Sequence, residues 1–413
     1  MRIFKYILLV ALLYIYFYNP IFQILSFGLI KIILIISFLY IAISGFLPRF
    51  LKIFKKEIIL TSILIFYSLL ITVFGDNSLI IPYIHLIWFL ECFLIPTFIF
   101  LVFKDFFNSL SFEAIVVQVG FFAALITFFL FLNPETNFFI RNSVIMESLD
   151  NRNGDTYFRG FTLAENSTYG YGIVQGLVLS ICLFSMHKNK KYLLPIFFLF
   201  VSIIFNARIG LAPVLISLFI MIIYKHIKIR NLAIISSMMI FLYWFLQNSS
   251  FAEQNEASLK WSLDFFSDTQ DFVTGKDYSP SSNYQYLFSG SMIFFPPDFL
   301  GLIFGTGENI LFSRVHHSDI GYVNQIYYGG ITYLLIMFVF LWKMFKRNYY
   351  NTASKLLAIV FFLVLPVANY KGIAFFVPSG FFRLITLFYV FSIFRTKGII
   401  GGIFIQNRKK LLK

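Results

Sequence analysis

Apolar runs long enough to cross a bilayer recur from one end of this chain to the other, and that leaves few kinds of fold open to it. A lipid interior offers no hydrogen-bond partners, so a spanning segment must close its backbone bonds on itself. A helix does so over about 17–25 apolar residues. The runs predict about twelve spans, near residues 3–18, 27–46, 58–74, 79–103, 112–132, 169–186, 192–206, 209–224, 231–247, 321–342, 353–369 and 380–394. The expected fold class is therefore all-α and polytopic. Composition agrees: of 413 residues, 59% are hydrophobic and 13% charged, against roughly a quarter charged in soluble domains. The first run ends at Asn19-Pro20 without a small-residue cleavage site, so it reads as a span and not as a removed signal. Cys92 and Cys182 fall inside expected spans and read as small apolar fillers.

A net charge of +14 would suit nucleic acid if it lay on one folded surface. Here it is divided by the spans. Arg49, Lys52, Lys55 and Lys56, then Lys188, Lys190 and Lys191, then Lys225, Lys228 and Arg230, then Lys343, Lys346 and Arg347, and the tail Arg408 to Lys413 all fall on one side of the expected topology. The opposite side is acidic on balance. The positive-inside rule makes the basic side cytoplasmic, with both termini there. The basicity sets orientation, and no nucleic-acid partner is implied.

Loop length is uneven. Cytoplasmic connections are short, while two external ones are long, so the chain divides into spans one to five (1–132), a first external loop (133–168), spans six to nine (169–247), a large external loop (248–320), and spans ten to twelve with a basic tail (321–413). Unstructured loops beyond about 15 residues are usually functional or disordered. Within the large loop, residues 292–304 are apolar but too short to span. The Pro296-Pro297-Asp298 start reads as a helix opening, giving a short interfacial or re-entrant helix that Gly305-Thr306-Gly307 turns back. No internal repeat is present, which argues against the paired halves of many transporters.

Three polar motifs interrupt the apolar pattern, each expected at the outer mouth of an inward-running helix. They are Phe158-Arg159-Gly160-Phe161 with Gly170 downstream, Asn206-Ala207-Arg208-Ile209-Gly210, and His316-His317-Ser318-Asp319-Ile320-Gly321-Tyr322. Helix N-termini bind anions, and Arg159, Arg208 and Arg314 stand just ahead of the three mouths. Guanidinium suits bidentate phosphate binding. Arg208 lies between apolar runs, where a charge is costly unless it is paired or functional. Arg159 alone reads equally as a loop residue pairing with Asp155 or Glu165. Ser318 reads as an N-cap with Asp319 in the first turn, while His316 or His317 has the chemistry to take a hydroxyl proton near neutral pH. Glu165 and Glu308 are weaker acid–base candidates. Arg383 is placed to join the site, whereas Lys31 and Glu91 read as paired or snorkelling charges. No metal-ligand or nucleotide-binding pattern is found, so neither a metal nor any other cofactor is expected.

Read in order, these residues and those after them (Phe-Arg-Gly-Phe, Ser167-Thr-Tyr-Gly-Tyr-Gly172, Asn-Ala-Arg-Ile-Gly, Gly305-Thr-Gly307, His317-Ser-Asp319 with Gly321-Tyr322, and Tyr328-Gly-Gly330) resemble the Wzy-type O-antigen and capsular polysaccharide polymerases. Those belong to a wider group with the O-antigen ligases. The resemblance covers motif detail only from about residue 157 to 334. It implies a GT-C-like, metal-independent, inverting glycosyltransferase of the cytoplasmic (inner) membrane, with undecaprenyl-diphosphate-linked donor and acceptor oligosaccharides. Combined with the residue chemistry above, it makes Arg159, Arg208, Arg314 and Tyr322 the expected diphosphate and substrate residues and His317, Asp319 and Arg208 the expected catalytic ones, with His317 the counterpart of the external-loop histidine of the ligases. Membrane lipid is a further partner, and a polysaccharide chain-length regulator fits the same setting. Arg159 and Gly170, with ten residues between them, match an arginine-to-glycine spacing of some members; Arg208 and Arg314 do not. An O-antigen ligase and a lipid-linked oligosaccharide flippase stand as alternatives.

Overall fold

The computed structural model describes residues 2–25, 28–75, 79–145, 161–165, 169–186, 190–225, 237, 292–308, 310, 318–351 and 354–400. The chain is helical, its only strands among these residues being β1 (Ile21–Phe22) and β2 (Val144–Ile145), paired antiparallel with Ile21 opposite Ile145. In chain order the helices are α1 (Arg2–Tyr18), α2 (Leu29–Ile43), α3 (Leu47–Ile53), α4 (Lys55–Phe74), α5 (Ile80–Val102), α6 (Lys104–Ser109), α7 (Phe112–Leu132), α8 (Pro134–Ser143), α9 (Tyr169–Met186), α10 (Leu193–Asn206), α11 (Leu211–Ile223), α12 (Phe299–Phe304), α13 (Gly321–Asn351), α14 (Lys355–Lys371) and α15 (Gly380–Thr396).

Helices stand where the apolar runs predict them, except that 231–247 lies outside the described residues apart from Ser237. Five are long and apolar enough to cross a membrane: α4, α5, α7, α9 and α13. A sixth counts if α2 and α3, bent by 105°, form one broken span. The protein is thus an all-α membrane protein. Helices α1, α14 and α15 have 17 residues each, and a rise of about 1.5 Å per residue leaves them a little short of a hydrocarbon core of about 30 Å.

The expected second span, 27–46, ends early. Gly45 adopts a left-handed φ of 70°, Phe46 N–H reaches back to the Ile41 carbonyl (3.1 Å) and Gly45 N–H to that of Ala42 (3.2 Å). This is the Schellman closure that a C′ glycine permits. Pro48 then opens α3 in a new direction.

Two compact units interleave along the sequence. The first comprises Met1–Lys31 and Ser109–Val273. There α9 packs against α7, α10 and α11, and α1 lies on α7. The second comprises Ile32–Asn108 and Thr274–Lys413. Its α5 packs on α4 and α15, while α13 lies against α4, α12, α14 and α15. Trp88 on α5 anchors its core, set edge-to-face against Phe93, Phe340, Phe376 and Phe382 at 4.7–5.8 Å.

Candidate functional site

In the first unit the second motif forms a backbone corner. Helix α10 ends at Asn206, Ala207 is extended (φ −159°, ψ 112°), and a single 3-10 turn, Arg208–Gly210, precedes α11. The expected span from 209 therefore begins with a break, not a helix mouth. Small residues permit the corner. A Cβ on Gly172 would stand 2.6 Å from the Ala207 carbonyl oxygen, one on Gly176 would overlap the Gly210 carbonyl, and one on Gly210 would overlap that of Gly172. Backbone thus lies directly on backbone, the close approach that glycine allows between helices in membranes. Arg208 is half-buried at this corner.

The first motif meets the residue just ahead of the second through aromatic rings. Phe205 stacks on Phe131 with centroids 4.0 Å apart, and Phe161 sets its ring edge-on to Phe131 at 5.5 Å and to Phe205 at 6.3 Å. Phe161 and Thr162 are buried. The segment 161–165 is tied to α1: Tyr14 donates to the Leu163 carbonyl (3.1 Å), Glu165 N–H to that of Tyr18 (3.0 Å), and the Asn19 amide to the Glu165 carboxylate. Glu165 therefore holds the loop in place. Gly170 is buried in the first turn of α9.

In the second unit, the Gly305-Thr306-Gly307 and Tyr328-Gly329-Gly330 motifs form one structure. Asp298 caps α12 by accepting from Gly301 N–H at 2.6 Å, and Gly305 (φ 86°) and Gly307 (φ 80°) turn the chain back. Gly330 breaks α13 with φ 69° and ψ −176°, which frees the carbonyls before it. Thr306 N–H takes that of Tyr327 (2.7 Å), Gly307 N–H that of Tyr328 (3.0 Å), and the Tyr67 hydroxyl that of Gly329 (2.9 Å). Tyr328 donates to the Ser68 carbonyl at 3.1 Å and lies 3.2 Å from Thr72 Oγ1. The break is thus capped by α4 and the glycine turn.

The third motif is placed only from Ser318 onward. Helix α13 starts at Gly321, so Ser318 is not its N-cap and Asp319 precedes its first turn. The Ser318 hydroxyl accepts from Ile320 N–H (3.1 Å) and donates to the Met292 carbonyl (2.8 Å). That tether keeps the chain non-helical until Gly321, whose missing Cβ admits the Asn369 and Gly372 carbonyls. Asp319 is half-buried and Glu308 exposed. Tyr322 donates to the Pro366 carbonyl (3.0 Å) and packs between Phe338 and Phe375. Arg383 is buried and paired with Glu91 through Nη2 (2.7 Å) and Nε (2.9 Å). Arg159, Arg314, His316 and His317 lie outside the described residues.

His85 on α5 carries no signal that sequence reasoning weighed, yet it is buried at the centre of a polar group. Its Nδ1 lies 3.1 Å from the Phe376 carbonyl, and its Nε2 meets the Tyr333 hydroxyl. A carbonyl only accepts, so Nδ1 carries the proton and Nε2 receives that of Tyr333. This bond holds Phe376 at a φ of +54°, a conformation costly for a bulky residue. Among the described residues no three His, Cys, Asp or Glu side chains gather as metal ligands do. Comparison of the chain with protein-family models, curated proteins and solved structures finds no match.

Proposed function

We propose that this protein is a polysaccharide polymerase of the O-antigen and capsule kind, working at the external face of the cytoplasmic membrane with about twelve spans and both termini cytoplasmic. It transfers a growing glycan from undecaprenyl diphosphate to an incoming undecaprenyl-diphosphate-linked repeat unit. Arg208, Arg159 and Arg314 bind the donor diphosphate and stabilise the charge that collects there as the anomeric carbon–oxygen bond breaks. His317 or Asp319 takes the proton of the acceptor hydroxyl, whose oxygen forms the new bond with inversion. The lipid diphosphate leaves with the bonding electrons.

What supports the reading is the assembly of the arginine corner. The chain spends three glycines and an aromatic clasp on holding Asn206 to Gly210 against α9, with Phe161 of the first motif packed on Phe205 just ahead of the second. Arg208 is carried at a fixed break where an intramembrane charge calls for a role. Complementation of a polymerase-deficient strain tests it: Arg208→Ala at normal protein level should reduce chain elongation by on the order of 10²–10³. Long polymer at the normal rate would remove Arg208 from the mechanism. Loss of the protein leaves single repeat units on the carrier, whereas loss of a ligase leaves finished polymer there. Loss of a flippase stops repeat units from reaching the outer face.

A further inference from the structure

Helices α13, α14 and α15 of the second unit leave a cleft between them. It runs along about two helical turns of α13, from Leu341 to Asn348, and holds about 350 Å³ of empty space, counting its open mouth. Its wall is apolar and rich in rings, with Phe361 of α14 and Phe382 of α15 buried in it. Of the residues that line it, only Phe345 and Phe362 are half-exposed. Their rings stack at 4.5 Å across the seam between α13 and α14, and Trp342 adjoins both at 5.4 and 5.9 Å. The cleft therefore opens sideways past these two rings. Around them Val339, Trp342 and Leu363 are exposed. On a membrane helix such a surface faces hydrocarbon, so what enters the cleft is lipid.

Two features narrow the kind of lipid. The first is Asn348. Of the two polar side chains in the wall, Tyr389 gives its hydroxyl to the Glu57 carboxylate. Asn348 is 7% exposed, and its Oδ1 has no hydrogen-bond partner among the described residues. A buried amide oxygen without a donor is costly; a plain hydrocarbon leaves that cost in place and a hydroxyl removes it. The second feature is charge. Lys343, Lys346 and Lys355 are exposed beside the mouth. Lys346 follows Phe345 directly, and Lys355 Nζ lies 5.3 Å from the ring of Tyr349, which packs on Phe345 at 5.7 Å. No Asp or Glu occurs after Asp319, so α13, α14 and α15 carry nothing that neutralises these lysines.

We propose that the cleft binds one anionic phospholipid with a hydroxylated head group, of which phosphatidylglycerol is the simplest. Its phosphate meets the lysines, a head-group hydroxyl donates to Asn348, and an acyl chain passes Phe345 and Phe362 into the cleft. Basic pockets between spans on the cytoplasmic side suit anionic lipids, and the positive-inside rule gives that side to this end of α13. The site joins α13 to α14 and is independent of the reaction assigned to the protein.

The test uses the full chain in phosphatidylcholine nanodiscs, with Trp342 at the mouth as reporter. Its share of the fluorescence is the part lost in Trp342→Phe. Acyl-brominated phosphatidylglycerol quenches that share at a mole fraction about tenfold lower than brominated phosphatidylcholine does. Lys346→Gln/Lys355→Gln, both exposed positions, abolishes the preference. Asn348→Leu, which keeps the size but removes the amide, weakens it several-fold. Equal quenching by the two lipids overturns the proposal. So does a preference that survives the lysine variant, or one that Asn348→Leu leaves intact, because lipid gathered by surface charge alone does not reach into the cleft. If Asn348→Leu does not fold, a cryo-EM map of the wild-type chain in phosphatidylglycerol decides that arm: elongated density between Phe345 and Phe362 that reaches Asn348 upholds the site, and an empty cleft overturns it. Neither readout depends on glycan transfer.

Discussion

Glu91 and Arg383 show what an isolated charge inside an apolar helix does. They lie 292 positions apart and meet as a buried pair, with Arg383 giving both Nη2 and Nε to Glu91 Oε2. The sequence marks each as an intramembrane charge, but only the packing of α5 on α15 makes them partners, and the pair accounts for Arg383 without any substrate. Removing one member strands the other in low dielectric, which costs about 3–5 kcal/mol, whereas replacing both with apolar residues of similar size is often neutral. Glu91→Gln and Arg383→Met should therefore each lower the unfolding temperature sharply, and Glu91→Leu/Arg383→Met should recover most of the loss. Equal damage from the double variant would mean that the ion pair itself is required. Glu57 and Arg347 form a second pair at 2.5 Å, backed by the Tyr389 hydroxyl, so one of the basic residues read only as an orientation signal also has a packing partner.

Among the elements, helix breaks are more informative than helix lengths. The α10–α11 corner and the break in α13 both depend on glycine, but for different reasons, and substitutions separate them. Gly45 has a left-handed φ with open space around it, so Gly45→Ala should cost only the conformational strain, about 1–2 kcal/mol. Gly210→Ala would drive a methyl group into the Gly172 backbone, and Gly330→Ala would meet the Ile303 carbonyl in a conformation almost reserved for glycine. Backbone cannot swing aside as a long side chain can. Both variants should lose the monodisperse peak in size-exclusion chromatography, while Gly45→Ala keeps it. A well-folded Gly210→Ala protein would mean that α9 and the corner are not in backbone contact. The glycines of Gly305-Thr-Gly307 and Tyr328-Gly-Gly330 were visible in the sequence. That one turn caps the carbonyls freed by the other break was not, because the spacing between them encodes no hydrogen bond.

On the scale of the whole molecule, orientation is the property most open to test. The proposed topology puts both ends in the cytoplasm, so green fluorescent protein fused after Lys413 should fluoresce and alkaline phosphatase fused there should be inactive. Phosphatase inserted within 248–290 should be active. The reverse pattern would invert every span and move the arginine corner to the wrong face for a lipid-linked substrate delivered outside. The two units interleave in sequence, with Ile32–Asn108 inserted between the parts of the first. Loop lengths divide the chain into consecutive segments and give no hint of this interleaving.

The sequence by itself determined the solvent: unbroken apolar length is a property of consecutive residues, so the long apolar helices α4, α5, α7, α9 and α13 and the places of the polar interruptions along the chain could be read from it. Only the tertiary structure decided what the interruptions do. Small hydroxyls such as Ser37 and Thr97 bond back to their own helix, but the larger polar groups find partners on another one, as His85 finds Tyr333, Glu91 finds Arg383, and Asn206 finds Thr127. Those partners are chosen by how helices far apart in the chain come to lie side by side, and no local pattern of residues records that choice.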